Sequence, residues 1–214
     1  MFVVFLGLPG AGKGTQAARL ATLTGLTHVT TGEIFRENIR NETELGKKAK
    51  PFVESGRLVP DEITIGMLLD RIIQPDCADG CLLDGFPRNT GQALALDEAM
   101  SAAGKAIDKV IYIKVDEEEL VRRLAGRWSC PECGAIYHES SQPPKEKGIC
   151  DACSSELRQR EDDKPAIVTT RLKVNMEQLQ PMLDLYESQG KVSEVYGARD
   201  VESITAELKK IVAG

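Results

Sequence analysis

Aromatic residues make up only 5% of the 214 positions, with a single tryptophan, and positive charge is not in surplus: 27 Lys and Arg face 33 Asp and Glu, a net charge of −6. Proteins that bind nucleic acid or membrane surfaces without sequence preference carry a basic excess, often with interleaved aromatics, so both classes are disfavoured. No stretch approaches the run of about eighteen apolar residues that a membrane span needs. Met1 to Leu6 lacks a basic leader and is too short an apolar run for a signal peptide, which points to the cytosol. Internal repeats and low-complexity tracts are missing too. His28 and His138 are the only histidines, and neither joins a Cys–His or Ser–His nucleophile pattern. Small anionic ligands remain open, and 42% apolar content is enough for one domain with insertions.

Against these absences stands a glycine-rich run, Gly7-Leu8-Pro9-Gly10-Ala11-Gly12-Lys13-Gly14-Thr15. Phe2 to Leu6 before it reads as a buried parallel strand, and Thr15 to Thr24 after it as a helix closed by Gly25. A loop in that position aims backbone N–H groups and the positive end of a helix dipole at one point, where Lys13 adds a mobile full charge. Polyphosphate is the ligand this suits. The loop departs from the general pattern at Gly14: the Ser or Thr that usually follows the lysine is gone, so a direct hydroxyl ligand for Mg²⁺ is missing or displaced to Thr15.

Buried-type strands then alternate with amphipathic helices, the pattern of an α/β protein of the P-loop NTPase kind, a parallel sheet with helices on both faces. Further strands fall at 80–84, 110–115 and 191–196, and helix starts at Thr31, Asp61, Thr90 and Asp116, the last with Glu119 in a capping-box arrangement. Too much sequence separates the first helix from the strand at 80–84 for a simple crossover, so an inserted small domain is expected there, with Gly56 ending one of its helices. A second insertion runs from Gly126 to Asp163, after which helix resumes at Pro165 with a kink expected at Pro181.

Within the second insertion, Cys130-Pro131-Glu132-Cys133 and Cys150-Asp151-Ala152-Cys153 form two Cys-x-x-Cys pairs, the spacing of a four-thiolate zinc site. Four thiolates leave no open coordination position, so the metal's role is structural. An insertion this short cannot build its own core, and metal binding worth on the order of 10–16 kcal/mol in small zinc peptides can order it. Two disulfides or unpaired thiols are the alternatives. Cys77 and Cys81 read as buried apolar residues.

Leu82-Leu83-Asp84-Gly85-Phe86-Pro87-Arg88 sets a carboxylate and an arginine at the carboxyl end of a core strand, where open α/β sheets bind ligands. Asp84 suits Mg²⁺ or its waters, or simply a cap for the turn. Arg36 and Arg88 offer planar forks for phosphate, and Arg123, Arg127, Arg160 and Arg171 flank the zinc segment. A lid bearing arginines could close over a polyphosphate and exclude water from phosphoryl transfer.

These residues resemble the adenylate kinase family, in its long bacterial form with a zinc-bearing lid. The resemblance rests on Gly7 to Gln16, Thr30 to Arg36, Gly56 to Asp61, Asp84 to Arg88 with Gln92, Arg123 to Arg127, and Arg160 to Asp163 with Arg171. It implies Mg²⁺-dependent transfer of phosphate from ATP to AMP, giving two ADP, by a cytoplasmic monomer with no nucleic-acid or membrane partner. It also implies a core of residues 1–29, 60–125 and 164–214, an AMP-binding insertion at 30–59 and a lid at 126–163. Gly10, Ala11, Gly12, Lys13, Gly14 and Thr15 would hold the ATP phosphates. Lys13, Asp84, Arg88, Arg123, Arg160 and Arg171 would carry the chemistry. Arg127, Ile136 and Tyr137 would cover the ATP base and ribose, with the main chain near Arg199 against adenine. Thr31, Arg36, Arg57, Leu58, Val59, Gly85, Phe86, Pro87, Arg88 and Gln92, joined by Arg160 and Arg171, would receive AMP, the Gln92 amide matching an adenine edge.

Other readings are a kinase of the same architecture acting on UMP, CMP or GMP, a P-loop ATPase whose zinc ribbon binds nucleic acid, and a nonenzymatic nucleotide sensor. Gln92 and the acceptor residues weigh against the first, and the acidic balance weighs against the second.

Overall fold

The computed structural model describes residues 1–213. Five strands, β1 (Phe2–Leu6), β2 (Thr27–Thr30), β3 (Cys81–Asp84), β4 (Lys109–Lys114) and β7 (Val192–Tyr196), form one sheet in the order β2-β3-β1-β4-β7. Every pairing in it is parallel. In β1 all five side chains are buried, and the period of two splits them between layers. Phe2, Val4 and Leu6 meet α4 (Asp61–Ile72), α5 (Thr90–Ala102) and the second half of α7 (Pro165–Glu187). Val3 and Phe5 meet α1 (Lys13–Thr24), α6 (Glu117–Ala125), α8 (Val201–Ala213) and the first half of α7. Burying one such side chain is worth about 1.5–3 kcal/mol, so this central strand anchors the sheet and the phosphate loop that follows it.

Beside the two large cores lie two small ones. Phe35, Ala49 and Val59 pack between α2 (Thr31–Arg40), α3 (Glu44–Glu54) and the chain after them. Cys130, Tyr137, Cys150 and Leu157 pack around the antiparallel pair β5 (Arg127–Ser129) and β6 (Ile136–His138).

Several local features differ from the sequence reading. Strand β2 is an edge strand of four residues with polar Thr27, His28 and Thr30, too short and too polar to give a buried-strand signal. Helix α1 starts at Lys13, two residues before Thr15, because Gly12 takes a left-handed φ of 94° and turns the chain directly into the helix. Asn89, not Thr90, caps α5, its side chain accepting from the Gln92 N–H. Asp116 makes no side-chain cap; it accepts from the Tyr196 hydroxyl, while Glu119 pairs with Arg122 and Arg123. Helix α7 continues through Pro181 to Glu187.

Candidate active site and metal centre

The phosphate loop lies between the end of β1 and the start of α1, at the carboxyl edge of the sheet. Lys13 Nζ folds back over it, donating to Gly7 O at 2.8 Å and Leu8 O at 3.0 Å. Burial pulls the Lys13 pKa down to about 8; Asp84 opposes this, while Arg88, Arg171 and Arg127 add repulsion. The lysine therefore feels the acceptor-side and lid arginines while bound to the loop.

Asp84 ends β3 beside the loop, with His28 Nε2 at 3.7 Å from Oδ2. Burial alone would raise its pKa, but the His28 ring and the charges of Lys13 and Arg88 outweigh that and hold the carboxyl below the usual range. An ionised carboxylate facing a phosphate loop is an oxygen donor suited to Mg²⁺ or its water shell.

Past Asp84 the chain turns through Gly85 and a cis Phe86–Pro87 peptide to Arg88. Thr31 Oγ1 donates to Gly85 O at 2.8 Å, and Arg88 Nε donates to the same oxygen at 2.7 Å. A crevice opens here, lined by Arg36, Arg57, Val59, Arg88, Asp162 and Arg171 among others. Burial, then the neighbouring Arg171, lowers Arg88 to about 10; burial and Arg36 lower Arg160 to about 9; burial also lowers Arg36. All three stay charged at neutral pH. Cations held this way, with too few carboxylates among them, form a site that lacks anions.

Two carboxylates organise Arg127 and Arg171. Asp163, fully buried, accepts from Arg127 Nε at 2.7 Å and from Arg171 Nη1 at 2.8 Å. Asp162 Oδ2 lies 2.9 Å from Arg171 Nη1. Arg123 is braced by Glu119 at 2.7 Å and Gly197 O at 3.0 Å. The sequence assigns Asp162 and Asp163 no role; its one sign of them is the acidic run Glu161-Asp162-Asp163 directly after Arg160.

A family model described as adenylate kinase matches residues 5–191. The chain belongs to the adenylate kinase family. It is 50% identical over 212 residues to the adenylate kinase of Oceanobacillus iheyensis, covering 99% of each chain. To the adenylate kinase of Bacillus licheniformis it is 48% identical over 214 residues, 100% of this chain and 99% of the relative. To that of Caldicellulosiruptor bescii it is 48% identical over 210 residues, 98% of each. Membership makes the chain an enzyme of the nucleoside monophosphate kinase class with adenylate kinase activity.

At three residues of the expected nucleotide sites the side chain is engaged within the protein. Gln92 is buried, and both ends of its amide are engaged: Oε1 accepts from Arg88 N–H at 2.8 Å and Nε2 donates to Asp61 at 2.7 Å. The Arg199 guanidinium is held by Glu207 and by Tyr196 O, leaving its main chain as the part that can meet a base. The Tyr137 ring is packed among Cys130, Cys150 and Leu157, while its neighbour Ile136 is exposed. Arg57 stacks on Phe52, 5.4 Å from the ring centroid; Val59 lines the crevice, and Phe86 and Pro87 are buried.

In the lid the four cysteine sulfurs lie within 4.8 Å of one another, with Cys130 to Cys153 at 3.4 Å and Cys133 to Cys150 at 3.5 Å. No disulfide joins them. A tetrahedral zinc site with Zn–S near 2.3 Å places its sulfurs about 3.8 Å apart, so the quartet fits such an ion closely. The two knuckles are built alike. Cys130 N–H donates to Ala135 O and Cys150 N–H to Ser155 O, both at 2.8 Å, and each second cysteine is followed by a left-handed residue, Gly134 or Ser154.

Proposed function

We propose that the chain transfers the terminal phosphoryl group of ATP to AMP, reversibly, giving two ADP. The observation that carries this reading is a linked chain of cations: Lys13 on the phosphate loop is repelled by Arg88 of the Gly85–Arg88 turn, and Arg88 in turn by Arg171 and Arg36, with which it lines the crevice. Gly10 to Thr15 hold the donor phosphates on backbone N–H groups. Lys13 leaves the Gly7 and Leu8 carbonyls to follow the transferring group. Arg36 and Arg88 clamp the acceptor phosphate, and Thr31 keeps the Gly85 turn in place beneath it. Arg123, Arg160 and Arg171 spread positive charge over the equatorial oxygens, where phosphoryl transfer needs electrostatic stabilisation more than covalent help. Asp84 would hold Mg²⁺ or its waters, and the ion would supply neutralisation of phosphate charge. Gln92 orients Arg88 through the Arg88 N–H, and its second amide hydrogen remains for the acceptor base.

Residues 30–59 and 126–163 act as the acceptor-binding and lid insertions on a core of 1–29, 60–125 and 164–214, a division supported by their separate small cores. Closing both aligns donor and acceptor and excludes the water that would otherwise take the phosphate. Cys130, Cys133, Cys150 and Cys153 would hold Zn²⁺, which would order the lid. Among the described residues no helix is long and apolar enough to cross a membrane, and a cytoplasmic monomer without nucleic-acid partners fits the acidic chain. The test is to offer ATP and Mg²⁺ with AMP, UMP, CMP or GMP in turn. AMP is expected to be the preferred acceptor, and failure of AMP to yield ADP above a Lys13→Ala control would refute the reading.

A further inference from the structure

Tyr137 sits on β6 with its ring among Cys130, Cys150 and Leu157. A buried phenol must place its hydroxyl on polar partners, and among the described residues this one has two. Asp151 N–H donates to the oxygen at 2.8 Å. A backbone N–H can only donate, so that contact uses an oxygen lone pair and leaves the single phenolic proton free. The other contact is Cys150 Sγ, 3.4 Å from the oxygen. A cysteine that ligates a metal is a thiolate, which can only accept, so with Cys150 as a ligand the phenolic proton points to its sulfur.

We propose that Tyr137 is the outer-sphere partner of the cysteine metal centre, its hydroxyl donating to the Cys150 thiolate while accepting from the Asp151 N–H. The inference rests on the reading of the quartet as a metal site. The two bonds pin the second knuckle to β6, so that Cys150 is oriented before the ion arrives. The donated hydrogen bond also draws charge from one sulfur and offsets the crowding of anionic ligands. Groups that orient metal ligands in this way typically change metal affinity by roughly 10–100-fold when removed. Tyr137 therefore acts on the metal site through Cys150.

The test compares the intact protein with Tyr137→Phe, measuring Zn²⁺ affinity by competition with a chromophoric chelator and recording the spectrum of the Co²⁺-loaded forms. The substitution is expected to weaken Zn²⁺ binding roughly 10–100-fold. It should also move the sulfur-to-cobalt charge-transfer band to lower energy, because a sulfur without its hydrogen bond is more electron-rich; loss of packing alone would not move it. Unchanged affinity with an unmoved band overturns the inference, and so does a raised KM for ATP at unchanged affinity, which would return the residue to the nucleotide. If the unaltered protein binds no Zn²⁺, the metal reading itself fails, a distinct result. If Tyr137→Phe does not accumulate in folded form, the unaltered protein loaded with a spin-active cadmium isotope decides the matter by NMR. A tyrosine hydroxyl proton coupled to cadmium supports the inference, and the lack of any such coupling overturns it.

Discussion

Asp84 stands against the backbone of Gly14: a β-carbon built there would lie 3.1 Å from Asp84 Oδ2. This contact gives the missing Ser or Thr after Lys13 a physical cause. Any side chain at that position would push the carboxylate away from the phosphate loop, so one site cannot carry both the usual hydroxyl ligand and Asp84 in its present place.

Gly14→Ala therefore separates stability from activity. Position 14 lies in α1 with an ordinary φ, and alanine there gains up to about 1 kcal/mol of helix propensity. Displacing Asp84 by a few tenths of an ångström is expected to lower kcat roughly ten-fold, given how steeply such reactions depend on alignment. Thermal melting and steady-state kinetics on the same preparation check this; full activity would show that Asp84 needs no fixed position.

Lys13 sets an alkaline limit. With its pKa lowered to about 8 in the folded protein, mainly by burial, the ammonium is lost as pH rises through that value, and kcat/KM should fall with it. Bound phosphate favours the charged form, so the limb in kcat should lie at higher pH. Stability runs the other way. Between about 8 and the ordinary lysine value of 10.5 the unfolded chain holds a proton that the folded one has released, so this residue's contribution to stability rises with pH across that window. A pH–rate profile lacking a kcat/KM limb near 8 would contradict the assignment.

Asp163→Asn leaves Arg127 and Arg171 without their shared, fully buried counter-charge. Breaking a buried pair from one side costs about 3–5 kcal/mol. For a chain of this size that corresponds to a fall of roughly 6–20 °C in melting temperature. Calorimetry checks it, and a change of less than about 1 kcal/mol would mean that the arginines find other partners.

Removal of the metal should act locally. After chelation, hydrogen exchange is expected to rise first in the lid, at β5, β6 and the two knuckles, while β1 and β3 keep their protection. Uniform loss of protection, or none, would show that the quartet does not hold the lid together.

Much of this was legible from residues alone because the signals are local. The run Phe2 to Leu6 followed by glycines and Lys13, the two Cys-x-x-Cys pairs, and Asp84 to Arg88 after an apolar strand each state their chemistry within a few positions. The rest depends on contacts distant in sequence. Strand β2 exists because its backbone pairs with β3, some fifty positions away, and not because its side chains are apolar. Asp163 is defined by Arg127, the inward turn of Tyr137 by Cys150 and Asp151, and the held amide of Gln92 by Asp61 and Arg88. Family likeness assigns Tyr137 and Gln92 to nucleotide surfaces, but it does not show which protein groups their side chains also hold.

The central claim is direct transfer between two bound nucleotides. The most direct measurement follows label from the γ-phosphate of ATP in a reaction with Mg²⁺ and AMP. Transfer within one closed site predicts that the label appears in the β-phosphate of the ADP formed from AMP, in step with the loss of ATP and with little inorganic phosphate. Label released mainly as inorganic phosphate, or a rate independent of AMP, would contradict it.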